Sequence, residues 1–242
     1  YSAVADGNGH GTWVASAIGS AADEPYRGYA PGANLLVLKV LGDDGSGSTH
    51  SIAEAVRYAT EQDADVISMS LGAPTYNAEL AEAVQNATEQ GSTVVIAAGN
   101  SRQTTRWIGS PADTPVEGVL TVGAASVNTN NTSDVASTLP AYFSQIGPDP
   151  GTTDLSSGVT NGAGIDLAAP GMKVAAATPT TAGTRTNTSL SGTSMATPMV
   201  AGAIAQALDE RPGWDEKPVR VAGYARNATR VMPNASVAAV GH

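Results

Sequence analysis

The sequence predicts an α/β fold, a three-layer sandwich whose mainly parallel central sheet carries helices on both faces. Three observations predict it. Uninterrupted apolar runs rich in Val, Leu, Ile and Ala recur along the chain. Amphipathic helical patterns separate several of them. Glycine, at 27 residues, and proline, at 14, supply the tight turns between them. Continuous apolar runs mark strands covered above and below, because a parallel sheet is packed on both sides. The 242 residues suit one such domain, spanning 1–242, and at 41% apolar they can fill its core.

Taken in order, residues 35–41 (Leu-Leu-Val-Leu-Lys-Val-Leu) read as a buried strand. Thr49 opens a helix with Ile52, Ala55, Val56 and Ala59 at helical spacing. Residues 66–71 form the next strand. A helix over 77–90 has Leu80, Ala83, Val84 and Ala87 on one face and Gly91 to end it. Residues 93–98 and 119–124 read as strands. The stretch 128–164 is rich in Asn, Thr, Ser, Gly and Pro, with one apolar island at Ala141, Tyr142 and Phe143. It reads as a surface excursion, after which regular structure resumes at 165–168. The last strong helix covers 195–208.

Composition excludes several functions. The net charge of −10 repels nucleic acid and anionic membranes. The absence of cysteine removes disulfides, a thiol nucleophile and thiolate metal sites. No apolar run approaches the roughly 20 residues of a membrane-spanning helix. The chain opens abruptly at Tyr1 with no leader, so it is expected to be a mature or trimmed piece.

Three segments carry chemistry. His10 stands between Gly9 and Gly11, just before an apolar helical run, where glycines let other backbone approach the imidazole. Ser194 stands at the junction of a glycine-containing turn and a long apolar helix. The first N–H groups of a helix lack intrahelical partners, so a serine there has its own N–H available to a developing oxyanion. Pro198 has no N–H, so an early carbonyl of this helix loses its partner. Asn100 follows a predicted central strand, at the edge where open parallel sheets bind ligands, and its amide can donate to an oxyanion.

Together these segments resemble the subtilisin-like serine proteases, the subtilases. Gly9-His10-Gly11-Thr12 resembles the family's histidine motif and Ala98-Gly99-Asn100 its oxyanion motif. Gly192-Thr193-Ser194-Met195-Ala196-Thr197-Pro198 resembles its serine motif, and all three occur in the family's order. Residues 6–12 and Ser110-Pro111-Ala112 lean toward the proteinase K branch. The resemblance implies a serine endopeptidase in which Ser194 attacks, His10 is general base, and Asn100 and the Ser194 N–H hold the oxyanion. It makes Ser70-Leu71-Gly72 and Ala97-Ala98-Gly99 two walls of an open apolar primary pocket. Gly45-Ser46-Gly47 becomes an edge that pairs with extended substrate backbone, which implies broad selectivity. It further implies protein or peptide substrates, an upstream pro-region, secretion to the extracellular space, a monomer, and no cofactor in the chemistry. A structural calcium is expected near Asp166 and Pro115.

The sequence also departs from that pattern. The family's triad aspartate lies well upstream of the histidine in an Asp-Ser/Thr-Gly context, and only nine residues precede His10. Asp6 is the sole acidic candidate there and fits a loop aspartate better. The chain is therefore expected to lack its N-terminal strand with the triad Asp, and to be impaired as it stands. The competing reading is a non-catalytic relative that binds peptides. An α/β-hydrolase fails because Ala196 stands where its motif needs Gly and because His10 precedes Ser194. Trp13 and Met199 stand where the family usually has His, and they are expected to pack together.

Overall fold

The computed structural model describes residues 5–114, 116, 118–126, 139–147, 164–179 and 185–210. Four helices and seven strands follow in the order α1 (His10–Gly19), α2 (Thr49–Glu61), β1 (Val66–Met69), α3 (Ala78–Glu89), β2 (Thr93–Ala97), β3 (Val119–Ser126), β4 (Leu139–Pro140), β5 (Leu167–Pro170), β6 (Val174–Pro179), β7 (Arg185–Leu190) and α4 (Thr193–Glu210). β1, β2, β3 and β5 pair in parallel in that order, and β4 adds a short antiparallel step on β3. The expected parallel sheet is therefore present.

Period two along each strand splits the core into two layers. Val95, Leu120 and Val122 face a cluster holding Trp13, Val14 and Ile18 of α1 with Met199, Val200 and Ile204 of α4. Ile67, Met69, Val94 and Ile96 face the opposite cluster, with Ile52 and Val56 of α2 and Leu80, Val84 and Ala87 of α3. α2 and α3 start on side-chain caps: Ser48 accepts from the Ser51 N–H, and Asn77 from the Leu80 N–H. Gly91, at φ 107°, ends the α3 turn in the left-handed region.

Two expectations change. Residues 35–41 form no strand, and among the described residues β1 takes its ladder bonds from β2 alone. Leu36, Leu38 and Val40 pack on the second cluster, while Leu35 and Val37 turn outward at 37% and 48% exposure. The segment is extended and amphipathic, but an apolar run becomes a strand only where a neighbouring backbone completes its hydrogen bonds. Conversely, the β6–β7 hairpin was not expected, because its Ala and Thr residues give little apolar contrast. Of the 128–164 excursion, 128–138 and 148–163 lie outside the described residues, while Ala141 joins the first core cluster with Phe143 packed against it.

Trp13 and Met199 both belong to the first core cluster. Trp13 also makes a polar contact: its indole Nε1–H donates to the Thr188 carbonyl at 2.9 Å, tying α1 to β7. Trp13 is 0% exposed. Trp13→Ala is expected to cost about 3–5 kcal/mol in urea unfolding. Trp13→Phe keeps most of the volume and removes only the indole donor, since the Thr188 carbonyl remains paired with Ala176 across the β6–β7 ladder, for about 0.5–1.5 kcal/mol.

Candidate active site

The C-terminal ends of β1 and β2, with the starts of α1 and α4, assemble the site. α1 begins after Gly9, whose φ of 88° suits glycine. Its first turn is capped from a distance. Asp6 Oδ1 accepts from the N–H groups of Gly9 (2.7 Å) and Asn8 (3.1 Å), and Oδ2 accepts from the Thr12 N–H (2.8 Å) and Thr12 Oγ1–H (2.7 Å). Partial burial pushes the Asp6 carboxyl upward. The hydrogen bonds from Thr12, Gly9 and Asn8 outweigh it and hold the carboxyl below its ordinary value.

Asp6 therefore stabilises the turn that presents His10. Asp6→Ala is expected to lower unfolding stability by about 1–2 kcal/mol. Because the folded carboxyl lies below its unfolded value, its contribution is present above the ordinary carboxylate range. It is lost as the pH falls through the folded value. Urea midpoints of parent and Asp6→Ala should thus differ at neutral pH and converge in acid.

His10 lines a cleft of roughly 450 Å³ with Gly11, Gly45, Ser46, Gly47, Ser70, Leu71 and Gly72. Lys39, Pro74 and Ser110 also line it, and the sequence singled out none of them as lining residues. Their only signal is proximity: the Ala73 N–H donates to the Ser110 carbonyl at 2.8 Å, bringing that loop to the β1 end. Ala97 and Ala98 are buried at the end of β2, and 97–99 are not among the cleft's lining residues.

Ser194 is the half-buried second residue of α4, set between buried Thr193 and Met195. It is joined to the cleft through Ser70. Ser194 Oγ–H donates to the Ser70 carbonyl at 3.3 Å, and Ser70 Oγ–H donates to the Ser194 carbonyl at 3.0 Å. The turn before Ser194 is fixed from β5, since the Gly192 N–H donates to the Gly171 carbonyl at 2.9 Å. A Cβ on Gly171 would come within 2.8 Å of the Gly192 oxygen, so that close approach requires glycine.

Asn100 stands beside this turn with its amide oriented. Its Oδ1 accepts from the Thr193 N–H at 2.8 Å and from Thr193 Oγ1–H at 3.1 Å, so Nδ2 is the end left to donate. A Cβ on Gly192 would sit 3.4 Å from Nδ2. Thr193 Oγ1 in turn accepts from the Gly99 N–H at 3.2 Å. In the sequence Thr193 is only part of a motif, and its role as the group that turns the Asn100 amide is visible in the geometry alone.

The calcium expectation rests on Asp166 and Pro115. Asp166 lies just ahead of β5, and its Oδ2 accepts from the Thr121 N–H at 2.9 Å. Pro115 lies outside the described residues. Among the described residues no three His, Cys, Asp or Glu side chains converge. No helix among them is long and apolar enough to cross a membrane.

Comparison with known proteins fits this geometry. A model of the subtilase family matches residues 1–241. The chain is 39% identical over 216 residues to subtilisin Savinase of Lederbergia lenta, covering 89% of this chain and 68% of that protein. It is 39% identical to an alkaline protease of Alkalihalobacillus alcalophilus, covering 89% of this chain and 48% of that one. The solved structure of S41 psychrophilic protease superposes with a TM-score of 0.76 at 32% identity, covering 96% of this chain and 72% of the other. The lean toward the proteinase K branch finds no support among these relatives.

Proposed function

This chain belongs to the subtilase family, and from that premise we propose that it is a serine endopeptidase acting through an acyl-enzyme. Ser194 Oγ attacks the scissile carbonyl carbon while its proton passes to His10. The negative charge that develops on the carbonyl oxygen is met by Asn100 Nδ2–H and the Ser194 N–H. The C–N bond then breaks, the amine leaves with the proton from His10, and water hydrolyses the ester by the reverse roles. No cofactor takes part in these steps.

The observation that carries the reading is the pair of hydrogen bonds between Ser70 and Ser194, because Ser70 lines the same cleft as His10. The open cleft, lined by Gly45-Ser46-Gly47 and Ser70-Leu71-Gly72 among others, suits an extended peptide read mainly through its backbone. We therefore assign broad specificity with an apolar primary pocket walled by Ser70-Leu71-Gly72; the expected second wall, 97–99, stays outside the cleft's lining. On the same reading the protein is extracellular and monomeric, and 1–242 is one catalytic domain.

The alternative reading is a relative that binds peptides with little turnover, and Asp6, engaged in the α1 cap, does not decide between the two. All of the Asp6 hydrogen bonds serve that cap, so we assign no part of His10 orientation to it. A fluorescent casein assay beside a fluorophosphonate probe separates the readings. The endopeptidase is expected to cleave casein and to be labelled at Ser194. Casein binding with neither cleavage nor labelling would establish the peptide-binding relative instead.

A further inference from the structure

α4 carries a proline in its second turn, and the consequence falls on the nucleophile. An α-helix pairs the N–H of each residue with the carbonyl four positions earlier. The carbonyl facing position 198 belongs to Ser194, and Pro198 has no N–H to give it. The helix nonetheless runs unbroken from Thr193 to Glu210. An acceptor left bare at that partly buried position would cost stability and free the peptide to rotate.

We propose that Ser70 is a positioning residue for the nucleophile, its hydroxyl replacing the amide hydrogen bond that Pro198 removes from the Ser194 carbonyl. This rests on the reading of Ser194 as the nucleophile. Ser70 Oγ–H reaches that carbonyl at 3.0 Å, and Ser70 is only 3% exposed, so little water competes. The return bond, from Ser194 Oγ–H to the Ser70 carbonyl at 3.3 Å, closes a two-bond clasp. Ser70 directly follows β1, whose backbone is registered on β2 from Val66↔Thr93 to Met69↔Ile96. The clasp therefore ties the Ser194 peptide to the sheet edge. Holding the Ser194 carbonyl fixes ψ at that residue, and with it the direction in which Cα–Cβ aims the hydroxyl.

The role of Ser70 is thus tied to a particular residue, Pro198, and a space-filling role would not be. The test follows the rate at which a fluorophosphonate probe labels the full chain, with Ser194→Ala as the blank. Ser70→Ala is expected to label about tenfold more slowly than the parent, the worth of one well-placed hydrogen bond. Pro198→Ala restores the missing N–H, so Ser70→Ala in that background is expected to lie within about twofold of Pro198→Ala alone. Equal labelling of Ser70→Ala and parent overturns the proposal, and so does the same tenfold loss in both backgrounds. Should Ser70→Ala not fold, Ser70→Cys, of similar volume but a weak donor, takes its place. A parent chain that does not label at all would remove the nucleophile reading, and this inference with it. A labelled parent with an indifferent Ser70 removes the inference alone.

Discussion

Ser194→Ala and His10→Ala should each reduce kcat for peptide hydrolysis to the same residual level, and the double variant should fall no further. Nucleophile and base act as a unit, so their losses do not add. The size of the loss is informative. In subtilisin, a relative of this chain, removing the serine or histidine is known to cost about 10⁶ and removing the aspartate alone about 10⁴. A site in which the imidazole works without an orienting carboxylate has already lost most of what the serine can give. A loss of only about 10² on Ser194→Ala would therefore mean that no carboxylate orients His10. A loss near 10⁶ would mean that a carboxylate already orients His10. Steady-state hydrolysis of a chromogenic peptide measures both.

Asn100→Ala should cost about 10²–10³ in kcat with KM little changed, a range known from subtilisin. On the proposed reading, the physical reason is that the Asn100 amide meets charge that exists only in the transition state. Oxyanion stabilisation acts independently of the triad, so the loss should persist undiminished even when the base is poorly oriented. Thr193→Val should give a smaller loss with the same signature, about tenfold in kcat, because the Thr193 N–H still holds Asn100 Oδ1 when the hydroxyl is gone. An effect confined to KM would place Asn100 in substrate binding instead of oxyanion stabilisation.

Much of this arrangement was legible in the sequence, for reasons that differ by residue. β2 was readable because Val94, Val95 and Ile96 are all buried, alternately in the two core clusters, which only a doubly covered strand requires. α3 was readable because Leu80, Ala83, Val84 and Ala87 recur at helical spacing before Gly91, although Asn77 proves to cap the helix from outside it. Residues 35–41 misled because the same apolar alternation serves a strand or an extended segment lying on a core, and composition does not report ladder partners. The β6–β7 hairpin was missed for the opposite reason, since cross-strand hydrogen bonds hold it where apolar contrast is weak. In the site, His10, Ser194 and Asn100 stood out because glycine turns and helix starts flag them. The contacts by which Thr193 and Ser70 hold them did not, because those hydrogen bonds span 93 and 124 positions.

The central claim is spatial: His10, Asn100 and Ser194 converge on a single reacting carbonyl. The crystal structure of the chain after reaction with a peptidyl phosphonate measures it directly. Convergence predicts phosphorus bonded to Ser194 Oγ, with one phosphonyl oxygen about 2.7–3.1 Å from both Asn100 Nδ2 and the Ser194 nitrogen. It also predicts a His10 ring nitrogen within about 3.2 Å of Ser194 Oγ or of a phosphorus-bound oxygen. An adduct on another residue, or one on Ser194 with His10 and Asn100 turned away from it, would contradict that claim.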